Sequence, residues 1–155
     1  MQLGITIPLQ KHLKLPKPPY GEPEDLFFCW EIHRIKYQGK NILTAVNASN
    51  RYIVILAGLK AADWKKIPGL VERGIEQGMR SDGYTTEQIN AYLDRGGSPV
   101  ITKTHGRKPV AGLNRAIDCL YWRDEPLDSG QMYQLVHCQK VNDDICSPAG
   151  FEEQD

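Results

Sequence analysis

LFFCWEIHRIKYQGKNILTAVNASNRYIVILAG, residues 26–58, decides the fold. From Leu26 the side chains alternate, with Leu26, Phe28, Trp30 and Ile32 on one side and Cys29, Glu31 and His33 on the other. Successive Cβ atoms of a strand point to opposite faces, so a period of two predicts a half-buried strand over 26–37. Gln38-Gly39 marks a hairpin turn. Two β-branched runs follow, at 41–47 and 51–57, joined by the polar turn Ala48-Ser49-Asn50. Three strands with links this short read as an antiparallel meander.

Downstream the period becomes helical. Asp63 is a candidate N-cap, and Ile67, Leu70, Val71, Ile75 and Met79 recur at three and four, predicting a helix within 63–81. Pro68 fits a first turn, which separates a short turn from the main helix. Gly74 and Gly78 lie by the same face; each weakens a helix by about 1 kcal/mol relative to Ala, and the compensation expected is close approach to the sheet. Thr85 to Gln88 forms a capping box that opens a helix over 86–95, closed by Gly96-Gly97. A strand is read at 99–104, a helix opened by Pro109 at 109–122, and a last strand at 131–138. Upstream come a strand at 3–7, a short helix through His12 and Leu15, and the proline-rich loop LPKPPYGEPED, which neither helix nor central strand can cross. The expected fold is one α+β domain with a mainly antiparallel sheet and helices packed on one side. Residues 1–140 form its body and 141–155 an acidic, flexible tail.

A chain of 155 residues fits one domain and needs neither disulfides nor metal to build a core. It has no apolar run near the ~20 residues that span a bilayer and no signal-peptide pattern at its start, so a cytoplasmic location and no membrane partner are expected. Cys29, Cys119, Cys138 and Cys146 include no CxxC pair. Reduced, buried thiols are expected. A zinc set of His137, Cys138 and Cys146 with Cys119 or Cys29 matches no standard spacing, so neither metal nor cofactor is predicted. The net charge is zero, yet residues 1–123 carry 18 Lys and Arg against 11 Asp and Glu, and residues 124–155 carry 1 against 8. That asymmetry points to an anionic partner for the basic part.

Four segments together resemble a small bacterial family of unknown function: the FFCW strand, VNASNRYIVILAGLKAADW, the paired helices and ITKTHGRKPVAGLN. The resemblance runs in order over roughly residues 3–122 and implies no activity. It places Asn47, Arg51, Lys60, Lys103, Thr104, Arg107, Gly112 and Asn114 at patterned positions. The proline-rich loop and the acidic C-terminal segment fall outside it.

The loop TKTHGRKP, 102–109, leads into a helix N-terminus, where free N–H groups and the helix dipole favour anions. Lys103, Thr104, His105, Arg107 and Lys108 add cationic and polar side chains there. Arg51 follows a polar turn; if it converges with Arg107, two guanidinium forks would clamp phosphate or carboxylate oxygens. Val110, Leu113, Ile117, Leu120 and Tyr121 mark the buried face of the 109–122 helix, and Asn114 is read as pointing inward with them. Asn47 and Asn114 complete the expected ligand set, with His33, Arg34 and Lys36 as an exposed extension. Tyr37, Tyr52 and Trp64 lie among the cations, where they would either stack bases or fill the core. The expected function is binding of a phosphate-bearing ligand, a nucleotide or nucleic acid, in a basic pocket. Two alternatives stand beside it: a metal-independent phosphodiesterase or ribonuclease using His105, and a protein-interaction module of a mobile-element or defence system contacted through its tail.

Overall fold

Strand β2, Cys29–Tyr37, is the spine of a five-stranded sheet in the computed structural model, which describes residues 1–22, 25–144 and 151. β3 (Lys40–Asn47) and β4 (Ile53–Leu56) complete the antiparallel meander, with Trp30 opposite Asn47 and Leu43 opposite Leu56. On the other side of β2 lies β1 (Gln2–Ile5), parallel to it, and beyond β1 lies β5 (Val100–Lys103), also parallel. The order is β4-β3-β2-β1-β5. The sheet is therefore mixed, not wholly antiparallel: the antiparallel meander carries the longer ladders, and β1 adds two parallel ones. Parallel neighbours need crossover connections. Helix α1 (Ile7–Leu13) lies in the first, and α2 (Ile67–Ser81) with α3 (Thr86–Gly96) in the return to β5.

Helices cover both faces of this sheet rather than one. On the Trp30 face, the indole donates to the hydroxyl of Tyr92 in α3 at 3.0 Å. α2 packs so closely on β4 that a Cβ at Gly74 would lie 2.5 Å from Val54 Cγ1. The opposite face carries α4 (Arg107–Tyr121), whose Tyr121 ring meets Tyr37 at 6.0 Å. The alternation in β2 was sound as a strand signal, but it separates two buried faces. Glu31, on the face opposite to Trp30, is 0 % exposed.

Three elements match their expectations closely. A 3₁₀ turn at Asp63–Lys66 precedes α2, which buries all five of its periodic apolar residues. The Thr85 capping box is complete. The turn of the first hairpin holds Gln38 and Gly39 at positive φ.

The strand expected at 131–138 is not formed. Tyr133 makes an isolated bridge to Leu56, and Leu135–Asp144 is a helix, α5. Its buried residues are His137, Cys138 and Val141, a three-four spacing that becomes visible only past residue 138. α5 lies along the outer edge of β4 and replaces the missing strand with side chains. Asn142 Oδ1 accepts from Ile53 N at 2.8 Å and its Nδ2 donates to Ile53 O; Cys138 Sγ accepts from Ile55 N at 3.3 Å. Past α5, Phe151 is buried.

No helix among the described residues is long and apolar enough to cross a membrane.

Candidate functional site

Asn47 ends β3 and builds the turn after it. Its Oδ1 accepts from the amides of Ser49 and Asn50 at 2.9 and 3.0 Å, and its Nδ2 donates to Phe27 O at 2.9 Å. Every polar atom of this buried side chain is spent on the chain itself, so Asn47 shapes the turn and does not face a ligand. The turn places Arg51 in the left-handed region, φ 63°, which costs a non-glycine residue about 1 kcal/mol or more.

From there the Arg51 side chain crosses to α4. A Cβ at Gly112 would lie 3.4 Å from both Cγ and Nε of Arg51. The two distant segments thus meet, at Gly112. Among the described residues the Arg51 guanidinium has neither ion pair nor hydrogen bond, although the residue is half-buried. Lys108 and Arg115, four before and three after Gly112, are its neighbours on the same stripe of the helix. Both are exposed, and among the described residues both are unpaired.

Arg107 leaves α4 elsewhere. Five residues before Gly112 turns the helix about 140° from it, so the expected clamp of Arg51 with Arg107 is not what the helix geometry presents. Asn114 is exposed, not inward. The buried stripe is Pro109, Gly112, Leu113, Ala116, Ile117 and Leu120; Asn114 sits on the flank of half-buried Val110 and exposed Tyr121, seven residues after Arg107. Lys103 is taken up locally: its ammonium lies 4.3 Å from the Tyr20 ring centroid and its amide donates to Pro19 O. Thr104 is half-buried beside it.

His105 is held on both sides of its ring. Nδ1 meets the Glu31 carboxylate in a very short contact, Nε2 meets Gln2 Oε1 at 2.9 Å, and the His105 amide donates to Glu31 as well. Gln2 Nε2 donates to Glu22 O, which fixes Gln2 Oε1 as an acceptor. Neither nitrogen is presented to a substrate. Room for this knot comes from Gly4, where a Cβ would lie 2.8 Å from Thr104 Cα and 2.9 Å from Glu31 Oε1. Sequence reasoning missed Glu31, Gln2 and Gly4. The available signal was a lone carboxylate flanked by Trp30 and Ile32 in a strand whose other charged residues are all basic.

Of the expected exposed extension, Lys36 is exposed, whereas His33 and Arg34 are half-buried. Half-buried His33 takes a hydrogen bond of 2.6 Å between Nδ1 and Thr6 Oγ1, and Arg34 lies over the Trp64 ring. Burial, helped by the Arg34 charge, holds the His33 imidazole below its ordinary value of 6.5. The unfolded chain therefore binds this proton more readily, and folding stability falls as pH drops below 6.5. In His33→Gln that part of the acid slope is expected to disappear, read from urea midpoints between pH 5 and 7. An unchanged slope would refute the assignment. Tyr37, Tyr52 and Trp64 are all buried, so they belong to the core and offer no stacking platform.

The thiols are quiet. Burial pushes Cys138 up to about 12, and Cys29 is buried too. Among the described residues no three His, Cys, Asp or Glu gather as metal ligands; Cys146 lies outside them. Two hollows lie among the described residues, neither of them at the basic loop. One, of about 580 Å³, is polar and touches Asp82, Gln88, Asn142 and Asp143; the other, about 410 Å³, is aromatic and ends on Phe151. Neither is lined by Arg51 or the 102–109 loop.

This chain belongs to a family described as a domain of unknown function, DUF6933, whose model matches residues 2–153. The match takes in the proline-rich loop and most of the acidic C-terminal segment. No curated protein and no solved structure matches the chain.

Proposed function

We propose that this domain binds the phosphate backbone of a nucleic acid on a basic surface made by Arg51, Lys108 and Arg115. One observation carries the reading: the half-buried residue Arg51 lays its side chain on Gly112 with no counter-ion among the described residues, flanked along α4 by two more unpaired cations. A buried or half-buried cation is normally paired. Two cations along one helix stripe, with Arg51 laid against Gly112 between them, suit a chain of phosphates better than one enclosed phosphate. The surplus of positive charge over residues 1–123 would steer such a polyanion.

The expected mode is contact with phosphates alone, without base readout. Binding of a labelled duplex, followed by fluorescence polarisation, should weaken with salt, with a slope of log K against log[salt] of about −2 to −3 for three contacts. Each of Arg51→Asn, Lys108→Ala and Arg115→Ala should make that slope shallower by about 0.9; asparagine is chosen at 51 because it tolerates positive φ. The triple variant should lose salt-sensitive binding. No binding at low salt, or a triple variant that binds like the parent, would end the proposal.

A further inference from the structure

Phe151 enters a cage of five aromatic rings contributed by four separate parts of the chain. Its ring centroid lies 4.9 Å from Tyr52 and from Tyr92, 5.8 Å from Tyr84, 6.0 Å from Phe27 and 6.2 Å from Trp30. Trp30 stacks on it, at an interplanar angle of 24°; Tyr52, Tyr84 and Tyr92 meet it edge to face. These are the arrangements that aromatic quadrupoles favour. The backbone joins in, since Phe151 N donates to the Tyr84 hydroxyl at 3.0 Å. The seat thus reads a ring and one backbone N–H together, as a peptide-recognition site does.

Two further features separate this from ordinary core packing. Several cage walls are tied down by bonds that do not involve Phe151: Trp30 Nε1 donates to Tyr92 Oη, Tyr92 Oη donates to Phe27 O at 2.6 Å, and Tyr52 Oη donates to Asp82 Oδ2 at 2.8 Å. Phe151 also does not fill its surroundings, because the hollow of about 410 Å³ remains beside it, reached by Met79, Gln88, Ala91 and Arg95. Residues 151–155 read FEEQD, an aromatic side chain followed by carboxylates, and Arg95 at the hollow's wall has the opposite charge.

We infer that this cage is a docking site for a peptide segment bearing an aromatic side chain followed by acidic residues. Its occupant is this chain's own segment around Phe151, a separable element that docks rather than a fixed part of the core. The site is independent of the basic surface on α4, and each can fail without the other.

The test uses the full chain carrying Phe151→Ala and a fluorescent peptide of residues 147–155. The empty cage should bind the peptide saturably, and the parent chain, whose own Phe151 competes, at least tenfold more weakly. A peptide with alanine at the position of Phe151 should not bind. Equal binding by parent and variant, or equal binding of the two peptides, would overturn the inference. Should circular dichroism show the alanine variant unfolded, Phe151→Leu keeps an apolar plug. Its peptide affinity should then fall between parent and empty cage, and an affinity equal to the parent's overturns the inference equally.

Discussion

Glu31→Ala is expected to cost the fold about 2–4 kcal/mol, because it removes the acceptor of two His105 donors and a buried group left unsatisfied costs about 1–3 kcal/mol. Glu31 is wholly buried and accepts from the His105 ring and the His105 amide. Alanine leaves that amide, and a ring that is itself mostly buried, facing an apolar gap. Glu31→Gln keeps the volume and one carbonyl oxygen but gives up the charge, so its loss should be smaller. His105→Ala removes the ring and strands the carboxylate instead. Urea unfolding of the two alanine variants and their double should therefore be strongly non-additive, because both substitutions destroy one contact. Additive losses, or a loss below about 1 kcal/mol for Glu31→Ala, would show that the knot does not hold the loop.

The same knot explains what the sequence concealed. A loop reading KTHGR invites an account in which every cation faces a ligand. The fold takes His105 for a carboxylate seventy-four residues away and rests Lys103 on Tyr20. Neither partner is adjacent in sequence, and neither is foreshadowed by periodicity. Local rules did reach local structures: the Thr85 capping box, the Gln38-Gly39 turn and the α2 face depend on residues a few positions apart. The meander was legible for the same reason. The parallel half of the sheet was not, because β1 meets β2 and β5 across long connections that leave no spacing signal.

Polar residues in strands misled in a consistent way. Alternation sets Glu31 and His33 apart from the Trp30 face, but it does not say whether that second face is covered. Asn114 shows the opposite error. It is three and four residues from apolar neighbours, yet its flank belongs to Val110 and Tyr121, outside the buried stripe. The useful part of the functional reading was the coincidence of Arg51 with the segment that follows the KTHGR loop. The contact is real, but it runs through Gly112 and not through Arg107. A glycine on the buried stripe of a helix, set opposite an arginine after a polar turn, is the pattern that could have found it.

The edge of β4 leads to the second large effect. Ile53 is wholly buried, and both its backbone groups are satisfied by one side chain, Asn142 of α5. Asn142→Leu keeps approximate size and does not lower helix propensity, but offers neither donor nor acceptor. Two buried backbone groups then lose their partners, at about 1–3 kcal/mol for each group left unsatisfied, so a loss of about 2–4 kcal/mol is expected. Asn142→Asp retains the acceptor for Ile53 N and should lose roughly half as much. The leucine variant should also change behaviour with concentration. An edge strand with open N–H and C=O groups is a template for another strand, and the four-residue β4 would be bare at its first position. Light scattering of the leucine variant should therefore rise with protein concentration, while the aspartate variant, with a charge at the edge, should stay monodisperse. If Asn142→Leu unfolds at the parent's urea midpoint, α5 does not act as the missing sixth strand, and the protection of the β4 edge must come from Cys138 and the backbone of Gln134, which donates to Ile55 O.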